Sequence, residues 1–207
     1  MTTAHSHLPT RRFRQSARYR DQLGKIRPLS LGLPREGQAL LPIEAEEKTA
    51  DIFFAGDAES SSTVRAAGML ELAALRDRGV VVDIPQSKLP LQEFFQRAAC
   101  AWLVWSPEGL GWDCFRHYEA LACGSVPVIN QPTIERHRPL LQGEHALYYD
   151  PVPGELTRTI MAALADKNRL RAMARAGKSH VMTHHTPDAL ARHVIETTLG
   201  LSEASAG

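Results

Sequence analysis

Only three cysteines occur, Cys100, Cys114 and Cys123, and no two of them form a C-x-x-C pair. An odd number without paired spacing excludes a disulfide framework and predicts a reducing, cytoplasmic compartment. No apolar run approaches the ~18 residues that cross a bilayer, and no secretory signal opens the chain. Neither charge sign is in surplus: 24 Lys and Arg against 23 Asp and Glu leave a formal charge of +1. That balance argues against a charge-driven binder of nucleic acid or of a membrane surface. G-x-G-x-x-G and Walker motifs are missing too, which leaves a dehydrogenase or an NTPase unsupported.

What is present suffices for one sizeable core, with 207 residues of which 43% are hydrophobic. The charges are balanced overall but uneven along the chain. "RRFRQSARYR" carries five arginines in ten positions, whereas "EAEEKTADIFFAGDAES" is mostly acidic. The chain divides accordingly into a basic extension or linker over residues 1–40 and one domain over 41–207. The arginine-rich start reads as a solvated helix or a segment that packs on a partner.

From residue 48 onward short apolar runs alternate with helical periodicity. "DIFFA", "VVVDI", "CAWLVW", "VPVIN" and "HALYYD" read as strands. "STVRAAGMLELAALRDR" places Val64, Met69, Leu70, Leu72, Ala73 and Leu75 mostly on one helix side, and "LPLQEFFQRAA" is a short helix with Pro90 in its first turn. Strands apolar throughout that alternate with helices predict an α/β fold: a Rossmann-like, doubly wound parallel sheet. Beyond Pro153 the pattern is helical only, with three successive helices; Thr186 caps the last and Pro187 occupies its first position. "IRPLSLGLP" is a candidate strand leading into a turn.

In an open parallel sheet, ligands bind beyond the carboxyl ends of the strands. Two such ends are glycine-marked, "FFAGD" and "WSPEGLGWD". In the second, Gly109 and Gly111 let backbone amides approach a ligand, and Asp113 is placed to cap a helix starting near Cys114. The free N–H groups of such a helix start suit a diphosphate. Arg116 in the first turn can add a bidentate phosphate contact. Glu119, three residues on, shares its face and can accept from the vicinal hydroxyls of a ribose. Gly124 suits the left-handed position that ends the helix.

Other residues have plainer readings. Trp102 and Trp105 are strand-core candidates, while Trp112 sits in the loop, open to stacking on a base or sugar. His184 and His185 read as last-turn cations or solvated residues. Cys114 and Cys123 lie nine residues apart, about 13 Å along a helix, too far to share one zinc; no metal and no cofactor is expected.

The run Gly111, Asp113, Arg116, Glu119, Ala120, Leu121, Gly124, Val126, Pro127, Val128, Ile129 resembles the donor-binding signature of GT-B glycosyltransferases. It is closest to the exostosin-like and spore-coat glycosyltransferase-like groups, and weaker likeness runs from "KTADIFFAG" to the last helix. The resemblance implies a glycosyltransferase that moves a hexose from a nucleotide-sugar donor without a metal. Glu119 would hold the donor ribose, with Arg116 at the diphosphate, Gly56 beside the opposite loop and Arg65 as a further phosphate candidate. The absence of D-x-D agrees with a metal-free diphosphate site. Many retaining relatives set seven residues between two glutamates; ten separate Glu108 from Glu119 here, so no sugar contact carries over to Glu108. A GT-B enzyme closes a cleft between two Rossmann-like domains, and this length holds one. The resemblance therefore implies the carboxy-terminal half, with a separate amino-terminal acceptor-binding domain or subunit as partner. A non-catalytic nucleotide-sugar-binding or docking module is the alternative of another class, and a sugar-nucleotide hydrolase or epimerase a third reading.

Overall fold

The sheet forms because its strands are apolar on both faces and so must be covered twice. In the computed structural model, which describes residues 27–43, 45, 47–57 and 62–200, five strands pair in the order β2-β1-β3-β4-β5. They are β1 (Ala50–Phe53), β2 (Val82–Asp83), β3 (Ala101–Trp105), β4 (Val126–Asn130) and β5 (Leu147–Tyr149), all parallel. The helices are α1 (Arg35–Gln38), α2 (Thr63–Arg76), α3 (Leu91–Ala99), α4 (Phe115–Ala122), α5 (Glu155–Leu164), α6 (Lys167–His184) and α7 (Pro187–Leu199). The doubly wound α/β layer read from the alternation is thus present, with its helical carboxy-terminal segment.

Pleating sends alternate side chains to opposite layers. Phe53, Val104, Ile129 and Tyr148 join α3, α4 and the end of α6 in one core. Ile52, Phe54, Leu103, Trp105, Val128 and Tyr149 join α2, α5 and the start of α6 in the other. In α2 the buried side is Arg65, Gly68, Leu72 and Leu75; the expected core residues Leu70 and Ala73 are exposed. Gly68 is buried because Trp105 lies on it: an added Cβ would sit 2.1 Å from the indole Cζ2. That indole is fully buried, tilted against Phe54 at 4.6 Å and hydrogen-bonded to the Tyr149 hydroxyl at 3.0 Å.

Local signals hold at most helix ends. Gly124 takes φ 74° just past α4, and Thr186 Oγ1 accepts from Ala189 N at 3.2 Å with Pro187 opening α7. Pro90 is the residue before α3 rather than inside its first turn. The segment 27–34 forms no strand. It is held by one side chain and one backbone carbonyl instead: Leu31 N donates to Asp113 Oδ2 at 2.7 Å, and Leu33 N donates to the His185 carbonyl at 2.8 Å. Of the expected extension, residues 1–26, with the arginine cluster, lie outside the described residues, and Leu33 is buried in the domain core.

Histidines join the segment 131–145 to the last helices. His137 stacks on His193 at 3.6 Å and His145 on His180 at 4.3 Å. The Arg138 carbonyl accepts from Nε2 of both His180 and His185, at 2.9 Å each. His185 is buried with its Nδ1 on Ser30 Oγ at 2.8 Å, so it is neither solvated nor a last-turn cation. Burial, then neighbouring imidazoles, push His185 and His137 down to about 4. Burial also lowers His145 and His184.

Two consequences are measurable. Gly68→Ala gains about 1 kcal/mol of helix propensity but drives a methyl into a pinned indole, an overpacking cost of roughly 1–3 kcal/mol. The clash is backbone-fixed on one side and fully packed on the other, so the upper end applies. A net loss of roughly 1–2 kcal/mol, or about 2–8 °C in Tm, is expected in denaturant and thermal unfolding. The histidines act on acid stability. Unfolded imidazoles bind protons near 6.5, whereas His137 and His185 in the fold bind them near 4. The unfolded chain therefore holds more protons throughout that window, and stability falls as pH drops from about 6.5 to 4. Urea midpoints measured against pH should show this slope, and His137→Gln should flatten it.

Candidate functional site

Because β1 has β2 on one side and β3 on the other, the chain reverses its direction of winding between β1 and β3, the crevice where open α/β sheets bind ligands. A cleft of about 760 Å³ opens there. It is bounded by residues 55–57 after β1, 85–89 after β2, and one face of α4 with Cys114, Arg116 and Glu119.

Arg116 is the least settled group in it. Nη2 donates to the Ala55 carbonyl at 2.7 Å, but Nε and Nη1 are buried with no hydrogen-bond partner among the described residues. The guanidinium lies 5.2 Å over the Phe54 ring, which returns part of the lost hydration. Burial lowers its hold on the proton, Arg65 adds like-charge repulsion and Cys114 and Glu119 oppose both. A guanidinium nonetheless stays cationic in proteins. A desolvated cation with two open donor nitrogens matches a bidentate anion such as a phosphate or diphosphate.

Glu119 sits one turn further on the same face and is 8% exposed. Burial raises its carboxyl to about 7 against the pull of Arg116. No hydrogen-bond partner for it is found among the described residues. At neutral pH the group is balanced between acid and carboxylate. It is therefore an acceptor whose strength rises with pH.

The glycines of the two loops serve the arginines. A Cβ on Gly56 would stand 2.6 Å from Arg116 Nη2, and one on Gly109 would stand 2.7 Å from Arg65 Nη2. Gly56 lines the cleft; Gly109 and Gly111 do not, and Gly111 faces open space. Arg65 is buried outside the cleft lining. Its Nε donates to the Glu108 carbonyl at 2.9 Å and Nη1 to the Asp57 carbonyl at 2.8 Å, tying the two glycine loops together. Asp113 does not cap α4. The capping position is Cys114, with no side-chain cap, while the Asp113 carboxylate accepts from Leu31 N and from the Tyr118 hydroxyl at 2.9 Å. Trp112 is not open to a ligand: it is buried, its Nε1 donates to the Asn130 carbonyl at 2.8 Å, and Arg136 covers its ring at 5.2 Å. Glu108 is a loop anchor, pairing through both backbone and side chain with the Asn130 amide.

Sequence reasoning missed the third wall of the cleft, residues 85–89, including Lys88, and Phe94 behind it. The signal was available, since "IPQSKLP" follows β2 and every strand-to-helix loop of a doubly wound sheet emerges at the same edge. It lacks the glycines that mark the other two strand ends. Cys114 was considered only with the discarded metal site.

Comparison with known proteins bears on the family and the fold. A family model described as "Glycosyl transferase-like" matches residues 90–196, just over half of the chain, from the start of α3 through most of α7. No curated protein matches the sequence. Among solved structures, a sucrose-phosphate synthase from Thermosynechococcus elongatus superposes with a TM-score of 0.56 at 16% identity, covering 84% of this chain and 51% of that one. An alpha-glucosyltransferase in complex with UDP and DNA gives 0.56 at 9% identity, covering 80% and 57%. A glycosyltransferase from Rickettsia africae gives 0.51 at 11% identity, covering 96% and 54%. At these identities the likeness is one of fold, and the chain spans about half the length of the structures it matches. With just over half of its residues matched by one family model and its fold matching half of such enzymes, the chain belongs to the glycosyl transferase-like family.

Proposed function

We propose that the cleft binds a nucleoside-diphosphate sugar, and that the chain is the donor-binding half of a GT-B glycosyltransferase transferring a hexose. The observation that carries this reading is the buried Arg116 guanidinium, with Nε and Nη1 unpartnered, one helical turn from an acceptor carboxyl in a cleft at the sheet's switch point. A diphosphate fills the open donors, and a ribose diol donates two hydrogen bonds to Glu119. Negative charge grows on the diphosphate as the glycosidic bond breaks. On this reading Arg116 and the uncapped amino terminus of α4 stabilise the leaving group by their positive charge, without a metal. Lys88 on the facing loop adds a second cation at the same cleft. The general base for an inverting reaction, or the acceptor site for either course, comes from a second Rossmann-like domain across the cleft. The relatives' greater length supports that arrangement.

Calorimetry with UDP-, GDP- and ADP-glucose tests the reading, and one of the three should bind. Arg116→Ala should weaken that donor by roughly 10–100-fold, the loss of about 1.5–3 kcal/mol for hydrogen bonds to a charged group. A folded protein that binds none of the three favours a non-catalytic docking module instead.

Binding should also depend on pH through Glu119. Below about 7 the buried carboxyl carries a proton and loses part of its capacity to accept; above it the carboxylate accepts from both hydroxyls. Affinity for a sugar nucleotide, whose diphosphate does not titrate in this range, should therefore rise between pH 6 and 8. Glu119→Gln should abolish the rise and bind uniformly weakly.

A further inference from the structure

Cys114 stands in the cleft wall with surroundings that no other cysteine of the chain has. It occupies the capping position of α4 with no side-chain cap, so its sulfur lies at the positive end of the helix. Sγ is 3.4 Å from Ser106 Oγ, 3.5 Å from His117 Nδ1 and 3.7 Å from His117 Nε2. His117 is completely buried. Its Nδ1 lies 2.7 Å from Ser106 Oγ, its Nε2 lies 3.0 Å from the Trp112 carbonyl, and its ring packs on Trp112 at 5.0 Å. These contacts form one directed chain from sulfur through hydroxyl to imidazole to carbonyl. With Nε2–H bonded to the carbonyl in every state, the Ser106 hydroxyl can pass the thiol proton to Nδ1 and leave a thiolate facing an imidazolium. Cys123, by contrast, is buried away from the cleft, and burial pushes its thiol up to about 12.

We propose that Cys114 is a covalent modification site, a thiolate that undergoes thiol–disulfide exchange with small carboxylate-bearing disulfides of the glutathione class entering the cleft. Arg116, two residues on in the same cleft wall, is a buried cation whose Nε and Nη1 lack a partner among the described residues, and its charge selects the anionic reagent. In the step, Sγ attacks one sulfur of the disulfide and a new S–S bond forms. The old S–S bond breaks with its electron pair on the departing half. That half leaves as a thiolate and takes up the proton that Cys114 gave to His117. The thiol has then become a mixed disulfide and one free thiol is released, with no other oxidant. The adduct sits beside Arg116 and Glu119 and closes the cleft to other ligands until a thiol reverses the exchange. The site uses the same cleft as the donor reading but does not depend on it.

Burial would raise the Cys114 thiol, but His117, Arg116 and Ser106 together bring it down to about 6; the same pairing raises His117, with Asp113 adding to it. The experiment is the pH profile of alkylation by iodoacetamide and of exchange with glutathione disulfide on the wild-type protein, with peptide mass mapping to assign the cysteine. The expected midpoint at Cys114 is near pH 6, against about 8.5 for an ordinary thiol. The gain in thiolate fraction is partly offset by weaker nucleophilicity, so at pH 6.5 the rate should exceed that of a free thiol roughly five- to ten-fold. His117→Gln should move the midpoint up by a pH unit or more, and Ser106→Ala should do the same more weakly if the first variant does not fold. A Cys114 midpoint at pH 8 or above, or adducts confined to Cys100, overturns the proposal. Adding the sugar nucleotide that binds best separates the two readings. Fast exchange without protection retains the thiol site and removes the donor assignment, whereas firm nucleotide binding over a slow, high-midpoint thiol does the reverse.

Discussion

A guanidinium taken out of water with two nitrogens unpaired is expensive, costing several kcal/mol relative to a satisfied one. Arg116 accepts that cost in the middle of the sheet's carboxyl edge, and much of the neighbouring structure exists to hold it there. Phe54 at the end of β1 underlies it, Gly56 leaves room for its Nη2, and the Ala55 carbonyl takes its one internal hydrogen bond. A core that wanted only stability would have placed an apolar side chain at this position. The proposed donor diphosphate supplies a reason for retaining the charge.

The second arginine of the edge has the opposite character. Arg65 is spent entirely on the protein, bridging the carbonyls of Glu108 and Asp57 so that the loops after β1 and β3 move as one. The Asn130 amide fixes Glu108 from the far side, and Asp113 extends the frame to Leu31 and Tyr118. The cleft walls are therefore braced by polar side chains that never face it. This is the support that a precise anion site requires. The same α4 turn that carries Arg116 and Glu119 also sets Cys114 against His117, so the proposed donor site and the proposed thiol site share one short helix.

The doubly wound sheet was legible because burial on both faces forces continuous apolar strands, and "AWLVW" and "VPVIN" can hardly be read otherwise. Caps were legible for a similar reason: Thr186 with Pro187, and Gly124, act through local backbone geometry alone. The spacing of Arg116 and Glu119 was legible too, since i and i+3 share a helix face whatever the tertiary context. The readings that failed depended on distant partners. Asp113 looked like a helix cap until Leu31, 82 positions away, supplied a backbone N–H to it. Trp112 looked free until Arg136 and Asn130 enclosed it, and the paired histidines at 184 and 185 looked solvated until Ser30 and Arg138 reached His185.

The amino-acid order by itself determined the layer architecture, the order of its elements and which face of α4 carries the polar pair, because those follow from periodicity over a few residues. Which glycines line the cleft, which arginine lines it and which is consumed by the loops, and whether a thiol meets an imidazole were decided only by the fold. Those outcomes depend on contacts between strand ends that sheet winding brings together across 40 to 80 positions, such as Arg65 with Glu108 and Arg116 with Ala55, separated by 43 and 61 residues. No local pattern encodes such distances.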